Sequence, residues 1–456
     1  MIYLFVILGI EIIFCLIEYN HARAVFANPS FLAMSVITVS TILGVIGNSY
    51  WKVNISPLLI RVLLCGFISL YFSDVLAKKT TKRFHYQMAN QIREVRINNT
   101  RVNIVLIVVV LCTIVYCLDI LRAGASLGAR GLRAIYTVKR DRSGTNVLIR
   151  QGVKIVMAAM FVHTYIFVND VMILRKRGVK YYKNIIPAIC AIICCIFTSV
   201  RTEIFRVITA LMICLCILIF CKRDWKMTSL KKFIRKIIPY LIIGVFLLVG
   251  VKTIVKGTEN ATSKTYGAFM YVAYYLGTPI IVLGSKLLDG IETYRGNIYG
   301  EITFNQLIGF LQERGLFNSV TIQDGSKNVW IDQKNKITAN VDTIFGPPTI
   351  DFGILGMAIY IFVLFYFLNR YYYKYLYKTQ NSPKRNEKLI TFSFLAAIPA
   401  MAYYTNYFNQ YLTVYFVLTL MLIKIIEMYY GMIKVPVHLG VNRNRLYEND
   451  NVKGIE

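Results

Sequence analysis

Long apolar runs recur along this chain, and no other feature restricts its fold so strongly. Ile2 to Ile17, Phe31 to Ile46, Leu58 to Ala77, Ile104 to Leu121, Val153 to Leu174, Ile185 to Val200, Ile204 to Cys221, Ile237 to Ile254, Phe352 to Leu368, Leu389 to Tyr404 and Leu412 to Met428 are candidate crossings. Each is roughly 16 to 22 residues, about the length a helix needs to traverse a hydrocarbon core. Backbone amides in lipid find no water, so such runs close their hydrogen bonds internally as helices. The expected fold is an all-α polytopic membrane protein with about eleven transmembrane helices and one large external loop.

Composition agrees. With 56% hydrophobic and 16% charged residues in 456, and a mean hydropathy of +0.54, the chain falls outside the soluble globular class. A net charge of +29 would suggest nucleic acid in a soluble protein. Here the cations lie in short blocks between apolar runs, which is a topology signal, and no nucleic-acid partner is expected. The first run begins at Met1 without a basic segment or a small-residue cleavage site, so it reads as a retained helix. The ten cysteines fall in or at the ends of apolar runs and read as small core residues, without disulfide or metal spacing.

The strongest basic blocks, Lys78 to Arg101, Arg175 to Lys183, Lys222 to Lys236 and Arg370 to Lys388, share one side in this helix count, and the positive-inside rule makes that side cytoplasmic. The N-terminus is then outside and the C-terminus inside. The expected organisation is an N-terminal bundle over 1–255, a large external loop over 256–351, C-terminal membrane helices over 352–430 and a cytoplasmic tail over 431–456. One external segment breaks the charge bias: residues 122 to 150 carry Arg122, Arg130, Arg133, Lys139, Arg140, Arg142 and Arg150. Either a helix is miscounted, or this loop, with Arg122 and Arg133, handles an anionic ligand. In the large loop, Phe269 to Leu288 is expected as a re-entrant or interfacial helix broken at Gly277 and Pro279, and Phe304 to Leu316 as a short amphipathic helix.

Asn340 to Gly356 joins this loop to a membrane helix. Gly346, Pro347 and Pro348 argue against regular helix there, so the chain is expected to turn before Asp351, leaving that acid in the first turn of the spanning helix. Asp351 is then a helix-terminal acid or a catalytic one. Asp342 is a loop-surface carboxylate or its partner in chemistry. Arg201, in SVRTE at the tip of a tight helical hairpin, lies near headgroup depth and contacts either lipid phosphate or a substrate anion. Arg206 has Glu203 three residues before it and can simply pair with it. Arg295 and Arg314 are solvated cations or, with Arg201, part of a cationic outer face suited to pyrophosphate. Tyr271, Tyr274, Tyr275, Tyr294 and Tyr299 are interfacial tyrosines or sugar-stacking ones. No histidine falls in the external loop; His163 reads as a buried polar residue near Asn169 and Asp170. Arg61, Asp170 and Glu11 are the charges expected deep in the helices. No P-loop, dinucleotide fingerprint, zinc-protease motif or nucleophile elbow is present, so neither nucleotide-driven nor hydrolytic chemistry is indicated, and no metal is expected.

Asn28-Pro29-Ser30, Ser199-Val200-Arg201-Thr202, Tyr274-Tyr275-Leu276-Gly277, Asn340-Val341-Asp342-Thr343 and Asp351-Phe352-Gly353 with Gly356 together resemble the O-antigen polymerase family, the Wzy-type repeat-unit polymerases. The resemblance implies a GT-C-like glycosyltransferase in the bacterial cytoplasmic membrane, with its site facing outward. Its substrates would be undecaprenyl-pyrophosphate-linked oligosaccharides, without nucleotide sugar or other cofactor, and a flippase and a chain-length regulator would be its partners alongside membrane lipids. On that footing Arg201, Arg314 and Arg295 would hold the donor pyrophosphate, Asp351 or Asp342 would take the acceptor proton, and Tyr274, Tyr275, Asn340 and Thr343 would contact substrate. A lipid-linked-oligosaccharide flippase, an O-antigen ligase-like transferase and a membrane scaffold are the alternatives.

Overall fold

The computed structural model describes residues 1–22, 27–81, 92–128, 134–135, 137–138, 145–198, 201–222, 225, 268–291, 299–316, 328–378 and 383–432. The expected crossing Ile237 to Ile254, Arg130, Arg133, Lys139, Arg140, Arg142, Tyr294, Arg295 and the 433–456 part of the tail lie outside these residues, as does the side chain of Arg201.

In chain order the helices are α1 Ile2–His21, α2 Pro29–Trp51, α3 Leu58–Thr80, α4 Asn99–Ser126, α5 Val147–Ile173, α6 Val179–Thr198, α7 Arg201–Lys222, α8 Ala268–Lys286 and α9 Asn305–Glu313. Strands β1 Val329–Asp332 and β2 Ile337–Ala339 follow, then α10 Gly346–Tyr375, α11 Pro383–Leu395, α12 Ala397–Ala400, α13 Phe408–Tyr411 and α14 Val414–Tyr429. Among the described residues eight helices, α1 to α7 and α10, are long and apolar enough to cross a membrane. The protein is a polytopic, essentially all-helical membrane protein. The expected crossing at Leu389 to Tyr404 is instead two short helices in succession, α11 and α12, and that at Leu412 to Met428 is the 16-residue α14. Among the described residues, the antiparallel hairpin β1–β2 is the departure from an all-α fold.

Helix starts follow local chemistry. Asn28, Asn98 and Asn146 each cap a helix by accepting a backbone N–H, from Phe31, Thr100 and Leu148 respectively, and Pro29 occupies a first-turn position that needs no donor. Two packed groups result. One core gathers α1, α2, α3, α8, α10 and α12; the other gathers α4 to α7, α11 and α14. Outward faces of α1 and α4 expose Phe5, Ile12, Leu16, Ile107, Leu111 and Leu118, as lipid-facing helices do.

The helix ends sort into two sets. At one, Lys78 Nζ donates to the His21 carbonyl at 2.6 Å, Arg101 to the Tyr429 carbonyl at 2.8 Å, and Lys222 to the Ile173 carbonyl at 2.7 Å, so residues of two of the basic blocks tie helix ends together. Polar side chains bind helices to one another just inside that end: Asp74 accepts from Asn28 at 2.7 Å and from Tyr373 at 2.9 Å, and Asn369 donates to Ser30 at 2.8 Å. Interhelical hydrogen bonds of this kind matter where lipid offers no hydrophobic force between helices. The opposite end, here the tip end, carries the Trp51–Leu58 turn, the end of α6, the start of α7 and the 401–413 segment.

Two expectations about breaks are corrected. α8 runs unbroken through Gly277 and Pro279. Its middle lies against α2, where Ser40 Oγ donates to the Leu276 carbonyl at 2.6 Å and the Gly277 backbone meets Gly44 with no room for a side chain. Gly277 is there for close approach, and packing against α2 holds the helix across the proline. In α10, Pro347 and Pro348 do not stop the helix. They sit in its first turn, where the missing amide donors would be unsatisfied anyway. The chain turns later, at Gly353 (φ 72°, ψ −178°), which divides α10 into a short helix Gly346 to Phe352 and the spanning helix beyond it.

Candidate active site

The turn at Gly353 decides where Asp351 goes. Asp351 lies in the last turn of the short helix, fully buried, and its carboxylate accepts the Thr303 N–H at 2.6 Å and the Ile302 N–H at 3.4 Å. It therefore fastens the 301–304 turn to α10 rather than capping the spanning helix. Asn406 extends the junction by donating to the Thr303 carbonyl at 3.2 Å while accepting from Tyr360 Oη at 2.9 Å.

The other end of the short helix is held by Asp342. Its carboxylate fits against Gly346, where an added Cβ would fall 2.5 Å from Cγ, and it pairs with Lys286 Nζ at 3.0 Å. Both partners are buried. Phe345, just ahead of the helix, packs on Gly66, whose Cβ would meet the ring at 2.5 Å. Gly66 is eight residues into α3, roughly 12 Å from its start, so the chain dips into the bundle before the short helix begins.

A separate cavity of about 490 Å³ opens at the hairpin between α6 and α7, with α4, α5 and α14 completing its wall. Arg150, Lys154, Glu203, Thr198, Tyr116 and Tyr415 line it. Arg150 and Lys154 stand one turn apart on α5, so they share a face. Like charges at that spacing repel, and the positive end of a helix dipole adds to the cost. Lys154 is only 9% exposed, its ammonium lies 5.4 Å from the Tyr415 ring centroid, and no carboxylate pairs with it among the described residues. Glu203 is already committed to Arg206, at 2.5 Å. Arg206 is buried in a cage of Phe161, Phe394 and Phe416, with the guanidinium 4.3 Å from the Phe416 centroid. The Glu203–Arg206 pair is neutral as a unit, which leaves the cavity with the surplus of two cations. A desolvated ammonium facing a polar cavity is stabilised by an anion.

Tyr407 joins the two regions. Its hydroxyl donates to Glu203 at 3.3 Å, and its neighbour Asn406 holds Thr303 and, through it, Asp351. The starts of α7 and of the spanning part of α10 are thus on the same side of the bundle. Arg201 is the first residue of α7.

The other residues singled out from sequence are dispersed. Tyr274 donates to the Thr338 carbonyl at 2.7 Å and sets its ring edge-on to Trp51; Tyr275 stacks on Tyr404 at 5.6 Å. Thr343 is buried and accepts the Phe345 N–H at 3.3 Å, while Asn340 is exposed. Arg314 is exposed, over the Phe310 ring, and Arg122 is exposed near the end of α4. Arg61 is exposed and lies in the first turn of α3, at its tip end rather than mid-helix. His163 is buried as expected, but its partners are Asn184 and Tyr430, each at 2.8 Å, not Asn169 or Asp170. Lys154 and Glu203 were not among the sequence candidates for substrate contact. The signal for the first was the i, i+4 spacing of Arg150 and Lys154 at the start of an apolar run.

Among family models, one described as "Putative O-antigen polymerase" matches residues 147–385, just over half of the chain. The match takes in Arg150, Lys154, Glu203, Lys286, Asp342 and Asp351. No curated protein and no solved structure gives a significant match.

Proposed function

The chain belongs to the O-antigen polymerase family, and from that premise we propose that it joins oligosaccharide repeat units carried on undecaprenyl pyrophosphate into a surface polysaccharide. The observation that carries the reading is Lys154, a buried lysine without a carboxylate partner among the described residues, lining a cavity beside Arg150. A diphosphate on a lipid is an anion that arrives at headgroup depth, and the tip-end hairpin is where it would be met. Arg150 and Lys154 hold the donor diphosphate there, with Arg201 contributing from the start of α7.

In the reaction an acceptor hydroxyl oxygen attacks the anomeric carbon of the donor's first sugar. The bond from that carbon to the diphosphate oxygen breaks, and the lipid diphosphate leaves with the electron pair. Fixed cations stabilise the charge as it develops, the contribution that usually dominates catalysis. The hydroxyl proton passes to a carboxylate. Sequence pointed to Asp351 or Asp342; what favours Glu203 is position alone, since its carboxylate lines the cavity, and its pairing with Arg206 leaves it as engaged as Asp342 on Lys286 or Asp351 on backbone amides until substrate displaces that contact. Asp351 and Asp342 then act as positioning residues for the 299–345 segment, in a GT-C-like arrangement whose 256–351 loop works on the outer face. Positive-inside supports the sidedness: the basic blocks would face the cytoplasm and the tip end the outside.

A deletion strain tests the reading. Its glycan ladder should collapse to one-unit product, while lipid-linked single units still reach the outer leaflet, and the intact chain should restore the ladder. A flippase would instead strand those units on the inner leaflet, and an unchanged ladder would end the proposal.

A further inference from the structure

A second and larger cavity, about 850 Å³, opens at the tip end where the last turns of α2 and α8 meet the β1–β2 hairpin. Its chemistry differs from that of the cationic pocket. Tyr50, Trp51 and Trp330 supply aromatic surface, and Asp289, Asp332 and Asn335 supply planar hydrogen-bonding groups. Trp330 is 52% exposed and Tyr50 56% exposed, so both rings present accessible faces at the cleft.

The lining is also held in place. Asp332 accepts the Asn335 backbone N–H at 3.0 Å and its side-chain amide at 2.7 Å, which fixes the hairpin turn. Trp51 is set edge-on against Tyr274, which is itself bonded to Thr338 of β2. At the inner edge stands Lys286, whose charge is neutralised by Asp342. The described lining includes no arginine, and its other two lysines, Lys52 and Lys334, are matched in number by Asp289 and Asp332, so the cleft has no surplus of cations like that of the other cavity.

We propose that this cleft binds neutral or N-acetylated pyranose chains: the glycan portion of the growing polymer, without its lipid diphosphate. Aromatic faces stack on the C–H faces of sugar rings, while carboxylates and amides pair with hydroxyl and acetamido groups. The volume lies within the range of ligand pockets and exceeds that of the cationic cavity. A chain retained here stays with the enzyme between additions, so the cleft sets product length. The chain's role rests on the polymerase reading above; the binding itself does not.

The test uses full-length protein in lipid nanodiscs and, as probe, free oligosaccharides of one to three repeat units released by mild acid from the strain's own polysaccharide. Binding should quench tryptophan fluorescence. Trp330→Ala and Tyr50→Ala, both at exposed positions, should weaken binding at least tenfold and shift the cellular ladder to shorter chains without abolishing it. Lys154→Met should leave oligosaccharide binding at the wild-type level. If wild type does not bind the probe, or both aromatic variants bind as wild type does, the cleft is not a glycan site. A ladder that survives Lys154→Met while probe binding depends on Trp330 would instead overturn the diphosphate assignment and leave the cleft standing.

Discussion

Replacing Lys154 with methionine should lower polymer formation by about 100-fold or more, the scale seen when one preorganised stabiliser of developing charge is removed. The substitution removes the ammonium and keeps most of the side-chain length, so the wall formed with Met157 and Tyr415 stays filled. Because the lysine has no carboxylate partner among the described residues, its removal leaves no buried counter-charge behind, and exchanging an unpaired buried charge for an apolar group is neutral or stabilising. Thermal unfolding of the purified protein should therefore be unchanged or shifted slightly upward. Lys154→Arg should retain a measurable ladder. The reading is a glycan-length gel beside an assay with lipid-linked donor in proteoliposomes. A normal ladder from Lys154→Met would sink the diphosphate site, and loss of folded protein would show that the lysine is structural.

Gly277→Leu should have the largest effect on the fold. A Cβ at Gly277 would lie 2.6 Å from both the Gly44 amide nitrogen and the Leu43 carbonyl carbon, and one at Gly44 would lie 2.7 Å from Ile280 and 3.1 Å from the Gly277 carbonyl oxygen. The contacts of a Cβ at Gly277 are with backbone, which cannot rotate away as a flexible side chain can. Membrane helices depend on such close approach, because packing and polar contacts replace the hydrophobic drive that water would supply. Separating α2 from α8 would also stretch the Ser40 to Leu276 bond and pull Trp51 from Tyr274. Overpacking costs about 1–3 kcal/mol in ordinary cores; here the expectation is the upper end or beyond, seen as lost expression and a lowered midpoint in detergent. Gly9→Leu is the matched control, since nothing lies within 4 Å of its added Cβ.

The membrane architecture was legible because it is written in run length and charge. The seven expected crossings before residue 222 coincide with α1 to α7, and Lys78, Arg101 and Lys222, from two of the basic blocks, each bond a helix-end carbonyl. Breaker residues were harder, because a proline's meaning depends on its place: Pro347 and Pro348 start a helix, Pro279 is carried inside one by a neighbour, and Gly353 makes the turn. The site was read in part. Arg201 pointed to the hairpin, but which cation faces a cavity is a matter of helix rotation against four other helices, and a lone lysine in an apolar run does not report it. Asp351 looked like a helix-end acid in sequence; its partners, Ile302 and Thr303, lie 48 to 49 positions away and carry no side-chain signal, since they bind through backbone amides.

The short helix from Gly346 to Phe352 is riveted at both ends, by Asp342 to Lys286 and by Asp351 to the 302–303 backbone, with a left-handed glycine just past the second rivet. Such an element behaves as a crossbar: loosening one rivet lets it swing about the other without unwinding. The glycan cleft borders Lys286 and the cationic cavity connects to Asp351 through Asn406 and Tyr407, so a swing of that bar would be felt at both places at once.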